Sequence, residues 1–195
     1  MMQFPITITF KILTLAPKLY VADATGEAIG FVRQQLLAFR EKVAVFRDET
    51  EAEELYRINA DRIIDWSANY HISDTSGRAV GTIRRRGARS LWRAHYEVFI
   101  GDHQVFEIRE ASAFVRFLDL AIGEIPLVGL FTGYFFNPIY HVTRADGSLV
   151  LNVVKHRALL ESRFAIDKLA DIDAAEQECV LLAIMMMVLL ERSRG

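Results

Sequence analysis

Six arginines fall within sixteen residues of this chain: Arg78, Arg84, Arg85, Arg86, Arg89 and Arg93, with Trp92 beside the last. A guanidinium presents five donors in a planar fork that matches the oxygens of phosphates and carboxylates two at a time. The chemistry on offer is anion capture. Side chains alternate faces along a strand, so Arg84 and Arg86 share one face while Arg85 points to the other. The candidate anion- or lipid-binding set is Arg84, Arg85, Arg86, Arg89, Trp92 and Arg93. A competing reading makes the arginines a solvated face, partly ion-paired with the acidic run Asp48-Glu49-Thr50-Glu51-Ala52-Glu53-Glu54.

Other chemistry is thinly represented. His71, His95, His103, His141 and His156 are scattered, without metal-ligand spacing. His71 and His141 each follow a tyrosine at equivalent places in a repeat, which suits two ordinary strand histidines better than a pair across a barrel. Cys179 lies inside an apolar stretch, where a thiol is inert rather than nucleophilic. The sequence holds no Gly-x-Ser-x-Gly, no His-Glu-x-x-His and no P-loop. Asp171 and Asp173 precede the last apolar run and suit a helix cap. They lack the loop glycine of an EF-hand, so calcium is not expected. No catalytic residue, cofactor or metal is expected, and a net charge of −2 gives no global basic field for nucleic acid.

A second candidate surface lies between residues 110 and 138. Phe114, Phe117, Leu118 and Ala121 share a helical face, and a glycine-punctuated apolar stretch follows. Phe131, Tyr134, Phe135 and Phe136 are its candidate membrane or partner contacts. The alternative is a helix and flap over 112–136 that closes one end of the fold.

The elements that must carry these residues are mainly strands. Turn signals recur at Asp23-Ala-Thr-Gly26, Asp74-Thr-Ser-Gly77, Gly101-Asp102 and Asp146-Gly147. The short runs between them are rich in Val, Ile, Phe, Tyr and Thr, the all-β pattern. Strands are expected at 4–13, 18–23, 28–35, 42–47, 54–60, 66–73, 78–85, 91–100, 103–109, 139–144, 148–155 and 162–167. A motif Asp-x-x-Gly-x-x-[Ile/Val]-Gly occurs at Asp23–Gly30 and again at Asp74–Gly81, with a looser copy around Asp146-Gly147. Aspartate closes such a turn on its own backbone and glycine supplies positive φ, so a reused hairpin is expected rather than a ligand loop.

Everything from Cys179 to Leu190 is apolar, with no polar face. Such a helix must be enclosed by protein or lipid. Twelve residues rise only about 18 Å, short of the roughly 20 residues a bilayer span needs. Protein enclosure by the preceding strands is therefore expected, with Met185, Met186 and Met187 filling an irregular lumen. Hydrophobic content of 52% and mean hydropathy of +0.18 imply a large core or apolar surface against a membrane. No linker divides the chain, so one domain over 1–195 is expected. A single cysteine fits a reducing compartment, and the alternating N-terminus suggests a strand rather than a signal peptide. The expected location is the cytoplasm, peripheral to a membrane.

Three stretches together resemble the tubby C-terminal-like superfamily, which includes LURP-one-related proteins and phospholipid scramblases. They are Lys11-Ile-Leu with Tyr20-Val-Ala-Asp23-Ala-Thr-Gly26, Asn137-Pro-Ile-Tyr-His-Val leading to Asp146-Gly147, and Phe164-Ala-Ile before the apolar helix. The resemblance implies a closed antiparallel barrel of about twelve strands around a central C-terminal helix. The division into twelve runs leans on it as well as on the turn signals. It also implies a non-enzymatic module for anionic phospholipid head groups, with an interaction scaffold or scramblase-like transport as the alternatives. Scramblases carry a denser acidic segment before this helix than Asp171-Ile-Asp173 provides. The expected partner is an anionic lipid or another phosphate-bearing ligand.

Each fully buried Leu, Ile or Met is worth roughly 1.5–3 kcal/mol, so the terminal helix should be indispensable. Deleting residues 174–195 is expected to give insoluble protein. A soluble truncation that melts cooperatively would exclude a threaded helix.

Overall fold

The computed structural model describes residues 2–11, 18–33, 42–61, 68–86, 94–111, 138–157 and 161–192. The segment 112–136, with its expected helix and flap, lies outside them. Twelve strands are present: β1 (Ile6–Lys11), β2 (Lys18–Ala22), β3 (Ala28–Arg33), β4 (Lys42–Phe46), β5 (Glu54–Ala60), β6 (Asn69–Asp74), β7 (Ala79–Arg85), β8 (His95–Ile100), β9 (His103–Glu110), β10 (Ile139–Thr143), β11 (Leu149–Arg157) and β12 (Glu161–Lys168). One helix, α1 (Ala174–Arg192), follows. Each strand pairs antiparallel with its sequence neighbour, and β1 closes the barrel on β12 through Ile6↔Ile166 and Ile8↔Phe164. All twelve expected strands appear, with ends shifted by a few residues.

The pleat explains which side chains face in. Ile6, Ile8 and Phe10 of β1, Leu19 and Val21 of β2, and Phe106 and Ile108 of β9 alternate with more exposed residues and are essentially fully buried. Their inner face surrounds α1. From Cys179 to Leu190 no helix residue exceeds 8% exposure, and Met185, Met186 and Met187 lie at 0–2%. An interior wider than that of an eight-stranded barrel takes more than wall side chains, and here it takes a helix. Among the described residues no helix is long and apolar enough to cross a membrane.

The repeated hairpins are built alike. Asp23 Oδ1 accepts from the Thr25 amide at 2.8 Å and hydroxyl at 2.6 Å, and Asp74 Oδ1 accepts from the Ser76 amide at 2.9 Å and hydroxyl at 2.7 Å. Gly26 and Gly77 follow with φ of 84° and 88°, conformations that side chains disfavour. These bonds, the Ser76 hydroxyl first, hold the Asp74 carboxyl down at about 2 despite some opposing desolvation. Asp146 and Gly147 form the third copy, with the Ser148 amide 2.9 Å from Asp146 Oδ1.

Two hairpins also hold the polar start of α1. Asp173 and Glu176 form a reciprocal capping box, the Glu176 amide donating to Asp173 Oδ1 at 2.8 Å and the Asp173 amide to Glu176 Oε2 at 3.2 Å. Asp173 is thus the cap expected from the sequence. Arg144 from the third hairpin grips Glu176 at 2.6 and 3.0 Å. Arg78 from the second lies 3.0 Å from Glu178, which also accepts the Tyr56 hydroxyl at 2.8 Å. Burial and the Glu178 bond push the Tyr56 hydroxyl up to about 12. At the far end the Tyr96 hydroxyl donates to Glu191 at 2.6 Å.

The last glycine of the second repeat has a separate task. A Cβ on Gly81 would sit 2.3 Å from Cys179 Sγ and 2.7 Å from the Phe99 carbonyl oxygen. Absence of a side chain lets the helix lie directly on β7. Burial pushes the Cys179 thiol up to about 12, so it serves as a small apolar group. Gly81→Ala is expected to cost about 1–3 kcal/mol in chemical denaturation. Adding Cys179→Ala should recover only part, because the Phe99 carbonyl stays. At Gly30 the nearest atom would be Met185 Cε at 3.6 Å, so Gly30→Ala should cost less. Equal losses at the two glycines would contradict this packing.

Candidate functional site

Strand β7 divides the arginine cluster between two sides of the barrel wall. Arg85 is on the inner side, 9% exposed, directly across from Tyr96. It therefore belongs to the barrel end where Tyr96 meets Glu191, not to an outer anion site. Arg84 and Arg86 are on the outer side, with side chains 49% and 59% exposed. Arg78 sits at the opposite barrel end in the helix clamp. Arg89, Trp92 and Arg93, and likewise Phe131, Tyr134, Phe135 and Phe136, lie outside the described residues.

The outer arginines meet a buried carboxylate that carries no signal in the sequence. Glu97 on β8 alternates with the inward Tyr96 and Val98, so it faces outward, yet it is only 4% exposed. Arg86 donates from Nε to Glu97 Oε1 at 2.7 Å, with Nη2 2.6 Å from the same oxygen. Arg84 lies 4.0 Å from the other carboxylate oxygen, donates from Nε to Asn69 at 3.0 Å and stacks 4.8 Å over the Phe99 ring. Glu97 holds Arg86 and leaves much of the Arg84 fork open.

Among the described residues the acidic run at 48–54 does not pair with Arg78, Arg84 or Arg86, contrary to that part of the competing sequence reading. Its glutamates pair with Lys18, Arg33, Arg47 and Arg57. The reason is position around the barrel: the β4–β5 hairpin tip lies beside β2 and β3, whereas Arg84 and Arg86 stand at the end of β7 against β8.

Sheet pairing extends the charged face onto β9 and β10. Glu97 stands opposite Glu107, and Arg109 stands opposite both His95 and His141. His95 Nε2 contacts Glu107 Oε1, and Arg109 Nη2 donates to that oxygen at 2.6 Å. Burial alone would raise the Glu107 carboxyl, but the bonds from Arg109 and His95 outweigh it and hold the group below its ordinary 4.5. Beside this cluster runs an open groove of about 590 Å³ lined by Gln104, Glu107, Arg109, Glu110, His141 and Thr143, among others. The lining comes from β9, β10 and the turn after β10, where Gly147 belongs to the third copy of the hairpin motif. The strand residues meet through register and carry no motif of their own.

Among the described residues the outer face thus carries Arg84, Arg86 and Arg109 beside Glu97 and Glu107, with Glu110 lining the adjoining groove. This arrangement can hold an anion by bidentate bonds at the open guanidinium edges. Among the described residues no group of three or more His, Cys, Asp or Glu is placed to hold a metal.

A twelve-stranded closed barrel threaded by a buried apolar helix is the architecture implied by the tubby-like resemblance. A LURP-one-related family model matches residues 28–191, and the chain belongs to that family. An X-ray structure of a protein from Arabidopsis thaliana is similar across 98% of this chain and 93% of that one, at 11% identity and a TM-score of 0.48. No curated protein matches the chain.

The ionised Glu107 links stability to pH. Its carboxyl is lowered in the fold, so its stabilisation is present above the ordinary 4.5 and is lost as pH falls through the lower folded value. Glu107→Gln is expected to flatten that part of the acid limb in a melting-temperature series from about pH 6 to pH 2, with little change in slope above pH 5. An unchanged acid limb would refute the linkage.

Proposed function

We propose that this LURP-one-related chain is a binding module that docks a phosphate-bearing anion, such as a phospholipid head group, on the outer β7–β9 face. On this reading it acts at the cytoplasmic surface of a membrane, without catalysing a reaction. The observation that carries the proposal is the exposure of Arg84 and Arg86 around the buried Glu97. Glu97 fixes the Arg86 guanidinium, and Asn69 with the Phe99 ring positions that of Arg84, before any ligand arrives, which lowers the ordering cost of binding. A ligand phosphate would take the outward edges, while Arg109 adds a further exposed cation at 61%.

Vesicle co-sedimentation with anionic and zwitterionic lipids tests the reading. Binding is expected to anionic vesicles and to weaken with salt. The double substitution Arg84→Ala and Arg86→Ala removes charge-assisted bonds worth about 1.5–3 kcal/mol each, so affinity should fall at least roughly tenfold. Absence of binding to either vesicle type, or an unaffected double variant, would sink the proposal.

A further inference from the structure

The barrel wall is not uniform. Among the described residues β3 and β4 share a single ladder pair, Phe31↔Phe46. Every other strand junction has four to seven. Inner side chains on both strands remain packed, with Val32 at 2% and Val45 at 1% exposure. Among the described residues the backbone ladder is therefore shortest where the core is intact.

Something else spans this seam. The β4–β5 hairpin tip carries Glu49 and Glu51 across to β2 and β3. Tyr20 donates its hydroxyl to Glu49 at 3.0 Å, and Lys18 lies 3.9 Å from the same carboxylate. Arg33 Nε is 2.6 Å from Glu51 Oε1, an ion pair rather than an aligned hydrogen bond. All of these contacts run from the β2–β3 side of the seam to the β4–β5 side.

Two further observations bear on the tip. Gly30 faces the helix, so Phe31 next to it points outward and packs on Tyr20 with ring centroids 5.1 Å apart. Phe31 is nevertheless only 1% exposed and is not part of the main core cluster. Glu51 has φ 58°, and it is the one non-glycine residue with positive φ among those described. The turn is otherwise built like the other two, with Asp48 Oδ1 accepting from the Thr50 amide at 2.9 Å and hydroxyl at 2.6 Å, and glutamate stands where they carry Gly26 and Gly77. Glutamate at a disfavoured φ points to a task for its carboxylate.

We propose that the β3–β4 junction is a lateral opening of the barrel and that the Glu49–Glu51 tip is its electrostatic latch, closed on Lys18, Tyr20 and Arg33. With the latch shut, ion pairs substitute for missing ladder bonds and Phe31 is sealed. With it released, the two strands separate first at this seam, uncovering Phe31 and two strand edges. Such half-exposed charge pairs are screened by salt, so the opening is sensitive to ionic strength. The inference is independent of the anion site on β7–β9.

Hydrogen exchange by mass spectrometry on the full chain tests it. Peptides covering 28–33 and 42–46 are expected to exchange about tenfold faster than those covering 149–157 and 161–168. About 1 M sodium chloride, where the screening length is near 3 Å, should widen that gap. Glu49→Gln with Glu51→Gln should speed exchange at the seam and leave the β11–β12 peptides unchanged, which also verifies that the variant is folded. Glu51→Gly is the discriminating variant, because it relieves the backbone while removing the carboxylate. It should loosen the seam, and Arg33→Glu combined with Glu51→Arg should retain more protection than either single change. Equal protection of seam and β11–β12, or a seam tightened by Glu51→Gly, would overturn the latch.

Discussion

Twelve consecutive apolar residues in α1 cannot face water on any side, and that requirement shapes the molecule. A sandwich or an open sheet covers one face of a helix, whereas a closed barrel covers all of them. The wall must then be wide enough to admit a helix with its side chains and must close without an edge. Pairing of β1 with β12 meets the second condition, and the strand number meets the first. Three consecutive methionines suit the lumen because unbranched chains adapt to a wall assembled from many strands.

Several local features follow from that enclosure. Gly81 lacks a side chain where the wall and Cys179 come into contact. The polar start of α1 is held by Arg78 and Arg144, which project from hairpins of the repeat. The repeat thus does two jobs: its Asp and Gly make the turn, and the residues beside the turn secure the helix. With the interior occupied, the outer surface is where charged side chains gather. There the buried Glu97 organises Arg84 and Arg86, and Glu107 organises Arg109 and His95.

Pattern-bearing features are legible in the sequence. Alternation located the strands, the aspartate and glycine pairs located the hairpins, and the missing polar face identified the enclosed helix. Closure into a barrel came from family resemblance rather than from periodicity, because local patterning does not say which strand meets the first one. The site was less legible. Alternation separated Arg85 from Arg84 and Arg86, but Glu97 looked like an ordinary strand residue. The acidic run at 48–54 looked like a partner for the arginines and instead spans the β3–β4 seam. Charge complementarity in sequence carries no information about distance around a barrel.

What the sequence determined by itself is the set of local choices: where the chain extends, where it turns, and which helix must be buried. These depend on side chains a few residues apart, whose spacing is written in the chain. Only the tertiary structure decided which charges meet, that Arg78 and Arg144 anchor the helix, that Arg109 faces His95 and His141, and that among the described residues one strand junction holds a single ladder pair. Those outcomes depend on register between distant segments. A shift of one residue moves a side chain to the opposite face, so register, not composition, makes the outer site.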